Sequence, residues 1–142
     1  MPEFRKDPVT GRWVIIARER AKRPFAFTFE KHPSQVENCP FCRSNESQTP
    51  SEVLAYRPAG SLRDSSDWWL RVVPNKFPAL VSHEPVRRAG NGMYDMINGM
   101  GMHEVVIETP QHDAHIGEMP ERQVEEIVWA YRDRTIEMCK DP

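Results

Sequence analysis

The residues best suited to do chemistry are Cys39 and Cys42, which stand in a C-x-x-C pattern around Pro40 and Phe41. Such a turn offers two thiolates to one metal ion, and zinc takes four ligands in a tetrahedron at about 2.0–2.3 Å. The sequence contains no second C-x-x-C and no H-x-x-x-H pair to complete the set. The pattern predicts half of a zinc site, with two reduced structural cysteines in a loop as the alternative.

Two histidines could supply a further ligand from a distant part of the chain. His112 and His115 follow a predicted strand, and either could arrive beside the cysteines. A thioredoxin-like redox site is disfavoured, because no βαβ pattern surrounds the C-x-x-C. Cys139 lies late in a predicted helix, where we expect a small buried or half-exposed residue.

A second group of candidates could bind an anion. Arg18, Arg20, Lys22 and Arg23 form a basic cluster, and arginine forks match phosphate oxygens two at a time. A solvated loop explains the same charges equally well.

Polar and aromatic candidates also lie at strand ends. Asn75 follows a predicted strand, where ligand-binding loops often lie, and Phe77 comes two residues later. Taken alone, a turn-forming asparagine and a core phenylalanine are the simpler interpretation. For His103, which opens a strand, a hydrogen-bonded structural role is the simplest interpretation.

Length and composition limit the class of protein that positions these residues. The 142 residues suggest one domain or less. Lysine plus arginine (19) nearly balance aspartate plus glutamate (21), which argues against a strongly basic nucleic-acid binder. No apolar run approaches the roughly 18 residues of a membrane helix, and the N-terminus lacks a signal-peptide pattern. With three cysteines and no signal, we expect a cytoplasmic protein without a disulfide framework.

Patterning predicts strands first and one helix late, which indicates an α+β domain with an antiparallel sheet. We predict strands at 12–17 (buried), 53–57, 68–73 and 103–108, a long mobile loop at 81–102, and a helix at 120–139. Four tryptophans are expected in the core: Trp13, Trp68, Trp69 and Trp129. The predicted sheet-facing stripe of the helix comprises Val124, Ile127, Val128, Tyr131, Thr135 and Met138, and Pro120 suits its first turn.

Five blocks in order resemble the N-terminal half of galactose-1-phosphate uridylyltransferases. They lie at 5–14, 20–24, 39–42, 71–80 and 103–112, and their order and spacing agree across nearly all of residues 1–142. The resemblance implies one domain over 1–142 with a histidine-triad-like antiparallel sheet and one C-terminal helix. We expect this sheet to be incomplete, because the family's next strand would begin where the chain stops.

The resemblance also implies partners and site residues. The family transfers a uridylyl group between UDP-glucose and galactose 1-phosphate through a uridylyl-histidine intermediate, a form of covalent catalysis. It implies zinc bound by Cys39, Cys42 and His112, and a homodimer in the full-length form. It further implies phosphate contacts from Arg20 and Arg23, uridine and ribose contacts from Asn75 and Phe77, and a pocket lined by Phe41.

One departure from the family pattern concerns catalysis. The family's fourth zinc ligand and its nucleophile lie in a His-Pro-His motif downstream of the helix, and this sequence contains no such motif. We therefore assign no catalytic residue and expect the chain to be inactive alone. An ADP-glucose phosphorylase-like nucleotidyltransferase, a non-catalytic zinc-stabilised nucleotide-binding module, and a structural domain with incidental cysteines remain as alternatives.

Overall fold

The structure is a computed structural model that describes residues 1–22, 39–82 and 85–140. The chain divides into two compact units. The first comprises Met1–Phe29 with Phe77–His103, and the second comprises Glu30–Lys76 with Glu104–Pro142. Among the described residues, no helix is both long enough and apolar enough to span a membrane.

The described residues form strands and one long helix, which confirms the α+β class. The strands are β1 (Glu3–Lys6), β2 (Trp13–Ile16), β3 (Leu54–Tyr56), β4 (Leu70–Pro74), β5 (Arg88–Asn91), β6 (Tyr94–Asn98) and β7 (Glu104–Ile107). The helix α1 spans Glu121–Met138, and short 3-10 turns lie at Arg18–Lys22, Glu46–Gln48 and Ile116–Glu118.

The first unit is built on an antiparallel sheet with the order β2-β1-β6-β5. A turn after β1 joins the first two strands, where the Asp7 carboxylate accepts hydrogen bonds from the backbone N–H groups of Val9 and Thr10. These bonds lower the pKa of Asp7. Gly11 completes the turn with a φ of +69°, a conformation that glycine adopts without strain.

Two predictions for this unit are wrong. The strand predicted at 12–17 forms, but β2 lies at the sheet edge, and Trp13 is 44% exposed instead of buried. The loop predicted at 81–102 contains β5 and β6, because β6 pairs with β1 far back in the sequence. β1 itself was not predicted at all.

The second unit packs α1 against the antiparallel sheet β3-β4-β7. Leu70 and Val72 of β4 form one buried cluster with Ile127 and Ala130 of α1. A second buried cluster joins Trp68, Val73 and Ile107. β4 is the central strand of this sheet, and Ile107 at the end of β7 leads into the segment that carries the candidate ligand His112.

The helix forms where the sequence predicts it, but part of its predicted buried stripe is wrong. Ile127 is buried as expected, whereas Val128 and Tyr131 are exposed and Ala130 is buried in their place. Trp129 is 47% exposed, so its predicted core position is also wrong. Pro120 caps the helix instead of lying in its first turn.

Candidate metal centre

Three predicted ligands, Cys39, Cys42 and His112, converge in the second unit. The Sγ atom of Cys42 lies 3.2 Å from Nδ1 of His112. The ligand atoms of Cys39, Cys42 and His112 all lie within 4.8 Å of one another. In a tetrahedral zinc site with bonds of 2.0–2.3 Å, ligand atoms are about 3.3–3.8 Å apart. The group therefore has the donor chemistry and nearly the spacing that such an ion requires.

The cysteine side of the centre is a tight turn stabilised by its own backbone. The Cys42 N–H donates to the Cys39 carbonyl at 3.2 Å, and the Asn45 N–H donates to the Cys42 carbonyl at 3.2 Å. The Asn45 side-chain amide also donates to the Cys39 carbonyl at 2.8 Å. Ser44 has a φ of +74°, which is unusual for a residue with a side chain. The turn brings the thiols of Cys39 and Cys42 close together, as the C-x-x-C spacing predicts.

The histidine side of the centre follows the end of β7. Pairing with β4 ends at Ile107, opposite Arg71, and Pro110, three residues further on, has no backbone N–H with which to extend it. The side-chain amide of Gln123 in α1 donates to the carbonyls of Glu108 (2.8 Å) and Trp69 (3.2 Å). This amide therefore links the residue just before β4 to the residue just after β7. The link lies where the chain that leads to His112 leaves the sheet.

Burial controls the acidity of the more enclosed thiol. Burial raises the pKa of Cys42 to about 11, and the adjacent Cys39 and the negative charge of Asp113 act in the same direction. A thiolate at this position therefore needs a nearby cation. Metal coordination provides that charge and deprotonates a coordinating thiol.

A cleft of about 730 Å³ opens beside His112, at the junction of the β7 exit and the start of α1. This volume lies in the range of small-molecule sites. Two of its lining residues, Asp113 and Glu118, are acidic. Since carboxylates repel anions, we place no phosphate in this cleft.

The other predicted binding residues are distributed over both units. Phe41 lies on the cysteine turn and is partly exposed, and Asn75 directly follows β4. Arg20 lies half-buried in the 3-10 turn Arg18–Lys22 of the first unit, which also contains Phe77. Arg23 lies outside the described residues.

Two further side chains bear on the sequence predictions. His103 has the expected structural role, because its Nδ1 accepts a hydrogen bond from the Ala79 N–H at 2.8 Å. His115 is exposed and is not among the three residues that group for a metal.

Sequence reasoning missed a buried charged network beside the cysteine turn. Arg71 of β4 is 1% exposed and donates to Glu52 (2.8 Å), Asp64 (2.6 Å) and Thr49 (2.7 Å). Glu52 also accepts a hydrogen bond from Arg57. An arginine inside an otherwise apolar strand pattern was the available signal, because a buried arginine requires carboxylate partners nearby.

Comparison with known proteins identifies the family to which this chain belongs. The sequence model described as "Galactose-1-phosphate uridyl transferase, N-terminal domain" matches residues 1–142. The chain belongs to this family. Its expected likeness to galactose-1-phosphate uridylyltransferases is therefore confirmed.

Relatives of this uridyl transferase N-terminal domain include two enzymes with different substrates in their names. The chain is 35% identical to ADP-glucose phosphorylase of Arabidopsis thaliana, over 94% of its own length and 38% of the relative. It is 29% identical to galactose-1-phosphate uridylyltransferase of Thermotoga maritima, over 99% of its own length and 37% of the relative. The chain thus spans less than two fifths of the length of these relatives.

Solved structures show the same fold. A crystal structure of the Arabidopsis ADP-glucose phosphorylase with bound ADP-glucose matches with a TM-score of 0.53 and 33% identity, covering 99% of this chain and 39% of that one. A uridylyltransferase structure matches with a TM-score of 0.61 and 25% identity, covering 95% of this chain and 34% of that one.

Proposed function

We propose that residues 1–142 form the N-terminal domain of a nucleotidyltransferase that acts on a nucleotide sugar and a sugar phosphate. The convergence of Cys39, Cys42 and His112 carries this proposal, because the family resemblance implies these same three residues as ligands. Family membership alone would also fit a domain that has lost its metal centre, whereas the three donor atoms of this chain lie within 4.8 Å of one another.

Zinc is the metal that these donors favour. Two cysteine thiolates and the neutral Nδ1 of His112 would hold it, since thiolate and imidazole donors suit zinc in a tetrahedral site. When bound, the ion supplies a cross-link between the cysteine turn and the segment that leaves β7. The described residues supply three ligands, so we expect the fourth position to be taken by water or by a group outside them.

The substrates follow from the family assignment. UDP-glucose and galactose 1-phosphate are the proposed pair, with phosphate contacts from Arg20 and Arg23, and with uridine and ribose contacts from Asn75 and Phe77. Phe41, on the cysteine turn, would line the same pocket. We propose that the attacking histidine lies outside residues 1–142, since they contain no His-Pro-His. A cytoplasmic homodimer remains part of the proposal for the full-length form.

A second candidate substrate is ADP-glucose. Identity to the Arabidopsis ADP-glucose phosphorylase is 35%, compared with 29% for the Thermotoga uridylyltransferase. This identity keeps an adenine nucleotide as a candidate beside the uracil nucleotide, and nucleotidyl transfer is the proposed reaction in both cases.

Calorimetric titration of the zinc-loaded chain with UDP-glucose and with ADP-glucose tests this proposal. We expect one of the two to bind, and Arg20→Ala to weaken that binding. Arg88→Ala, which removes an exposed arginine of β5 in the same unit, is the matched control and should leave it unchanged. Failure of both nucleotide sugars to bind would contradict the proposal.

Turnover distinguishes the enzyme from a binding module. We expect nucleotidyl transfer only from a polypeptide that also carries a His-Pro-His motif, and none from residues 1–142. If such a longer polypeptide binds nucleotide sugars without transfer, the non-catalytic zinc-stabilised module is the better description.

A further inference from the structure

We propose that Glu46 is a positioning residue for the metal centre, holding the cysteine turn in place through the indole of Trp68. This inference rests on the proposed metal-binding role of Cys39, Cys42 and His112. Glu46 is not a ligand in the group that converges for a metal. It lies four residues beyond Cys42, at the start of the 3-10 turn that follows the cysteines.

The bond between Glu46 and Trp68 is short and buried. Oε1 of Glu46 accepts a hydrogen bond from Nε1 of Trp68 at 2.7 Å. The glutamate is 9% exposed and the tryptophan 1% exposed. A buried carboxylate is costly unless its hydrogen bonds are made, and a bond to a charged acceptor is stronger than a neutral one. The pair therefore holds its partners together more firmly than a surface contact would.

The same carboxylate oxygen also stabilises the backbone next to the metal ligand. Glu46 Oε1 accepts a second hydrogen bond from the Ser44 N–H at 3.2 Å. Ser44 has a φ of +74°, a conformation that L residues adopt only when their surroundings hold them there. Since Ser44 lies two residues after Cys42, loss of this acceptor would let the turn relax and move the Cys42 thiol.

Neighbouring contacts make Trp68 a suitable anchor. Its carbonyl accepts a hydrogen bond from the Arg43 side chain at 3.1 Å, which is a second link to the turn. Its ring packs in the buried cluster with Ile107, the last residue of β7. Because His112 follows β7, the Glu46–Trp68 bond connects the cysteine side of the centre to the histidine side.

The backbone of Glu46 is anchored independently of its carboxylate. Thr49 Oγ1 donates to the Glu46 carbonyl at 2.9 Å and accepts from Arg71 at 2.7 Å. Substituting the side chain should therefore leave the 3-10 turn in place and change only the link to Ser44 and Trp68. An effect of such a substitution on metal binding can therefore be assigned to the hydrogen bonds of the carboxylate.

Cobalt(II) binding tests the inference, because its absorption bands report both affinity and the geometry of thiolate ligation. We expect Glu46→Leu and Trp68→Phe each to weaken cobalt binding by about 10–100-fold, the usual effect of removing a partner that orients ligands. The bands should also shift toward a less regular tetrahedral site. Glu46→Gln should recover most of the affinity, because its amide oxygen still accepts from the indole N–H.

A double variant and a matched control separate positioning from general destabilisation. Glu46→Leu combined with Trp68→Phe should bind no more weakly than Glu46→Leu alone, because both substitutions remove the same Glu46–Trp68 hydrogen bond and Glu46→Leu already removes the bond to Ser44. Glu104→Gln breaks a part-buried ion pair with Arg134, at 2.7 and 2.8 Å, elsewhere in the same unit. It should lower the unfolding temperature without changing cobalt affinity or bands.

Each outcome bears on one of the two proposals. A parent chain that binds neither cobalt nor zinc contradicts the metal centre itself. If the parent chain binds cobalt, and Trp68→Phe and Glu46→Leu both bind it as tightly as the parent does, the Glu46 inference is overturned. Equal weakening by Glu104→Gln also overturns it. If Glu46→Leu fails to fold, Trp68→Phe, which keeps an aromatic ring in the core, decides the question.

Discussion

Cys42 Sγ lies 3.2 Å from His112 Nδ1, although 70 positions separate these residues in the sequence. One residue belongs to a turn that is closed by its own backbone, and the other follows a strand whose end is held by α1. β4 pairs with β7, which leads to His112, and side chains of Glu46 and Arg43 link the cysteine turn to Trp68, just before β4.

Replacing His112 should remove the metal. We expect His112→Ala to lose most of the zinc that purifies with the parent chain, because a centre with three protein ligands would keep only two thiolates. His115→Ala is the matched control, since His115 is exposed, lies three residues further on and is outside the group. Elemental analysis measures both, and an equal loss of zinc would contradict the assignment of His112.

Stability should fall at low pH through Asp64. Burial acts to raise the pKa of Asp64, but hydrogen bonds from Ser51, the Glu52 N–H and Arg71, with the charge of Arg71, lower it to about 2. Because this folded pKa lies below the ordinary value of 3.8, the ionised carboxylate stabilises the fold fully at pH values above about 4. This stabilisation is lost as the pH falls from about 4 toward 2.

Urea unfolding at several pH values measures this dependence. The Asp64→Asn variant should be less stable than the parent at neutral pH and should lose less stability on acidification. Asp133→Asn removes an exposed carboxylate of α1 and serves as the control. An unchanged acid slope in Asp64→Asn would show that other groups dominate.

The bridge made by Gln123 should contribute to stability. Gln123→Leu removes the two hydrogen bonds to the carbonyls of Glu108 and Trp69, and a typical bond contributes about 0.5–1.5 kcal/mol. We expect the free energy of unfolding to fall by about 1–3 kcal/mol. Gln111→Leu, at an exposed position nearby, should change it little, and equal losses in both variants would refute the bridge.

Gly99 should tolerate no side chain. A Cβ at Gly99 would lie 2.9 Å from the Pro2 side chain and 3.0 Å from its backbone carbon. The Gly99 N–H also donates to the Pro2 carbonyl at 2.8 Å, so the backbone cannot move away freely. We expect Gly99→Ala to destabilise the chain by about 1–3 kcal/mol in denaturant unfolding.

Gly90 provides the matched control for this substitution. It lies in β5 of the same sheet, and a Cβ there meets nothing within 4 Å. Gly90→Ala should therefore be neutral or slightly stabilising, since it reduces the freedom of the unfolded chain. If both alanine variants unfold at the same denaturant concentration, the close approach to Pro2 has no energetic effect.

Local features of the sequence were predicted well. The C-x-x-C turn, the extent of α1 and the strands that became β4 and β7 all depend on neighbouring residues. In the helix, the sequence shows apolar residues at a 3.6-residue period, but it does not show which of them become buried. The sheet contacts Ile127 and Ala130, and this leaves Val128 and Tyr131 exposed. The facing sheet, and not the helix, decides which residues are covered.

Features that depend on distant partners were predicted poorly. β5 reads Arg-Ala-Gly-Asn, a sequence without a strand pattern, and it becomes a strand because β6 pairs with it and with β1. β2 has a strand pattern that is typical of a buried position, yet its place at the sheet edge leaves Trp13 exposed. Pairing order is a tertiary property, since hydrogen-bonded neighbours can lie anywhere in the sequence.

The sequence by itself determined the family, the α+β class and the cysteine half of the candidate metal centre, because a turn is local and the order of motifs can be read directly along the chain. Its residues alone left His112 and His115 open as the third ligand, and only the tertiary structure brings His112 to Cys42. The proposed role of Glu46 and the buried hydrogen bonds of Arg71 likewise depend on tertiary structure. A carboxylate or guanidinium has a function in the interior only through the groups that surround it there, and those groups come from segments that meet when the chain folds.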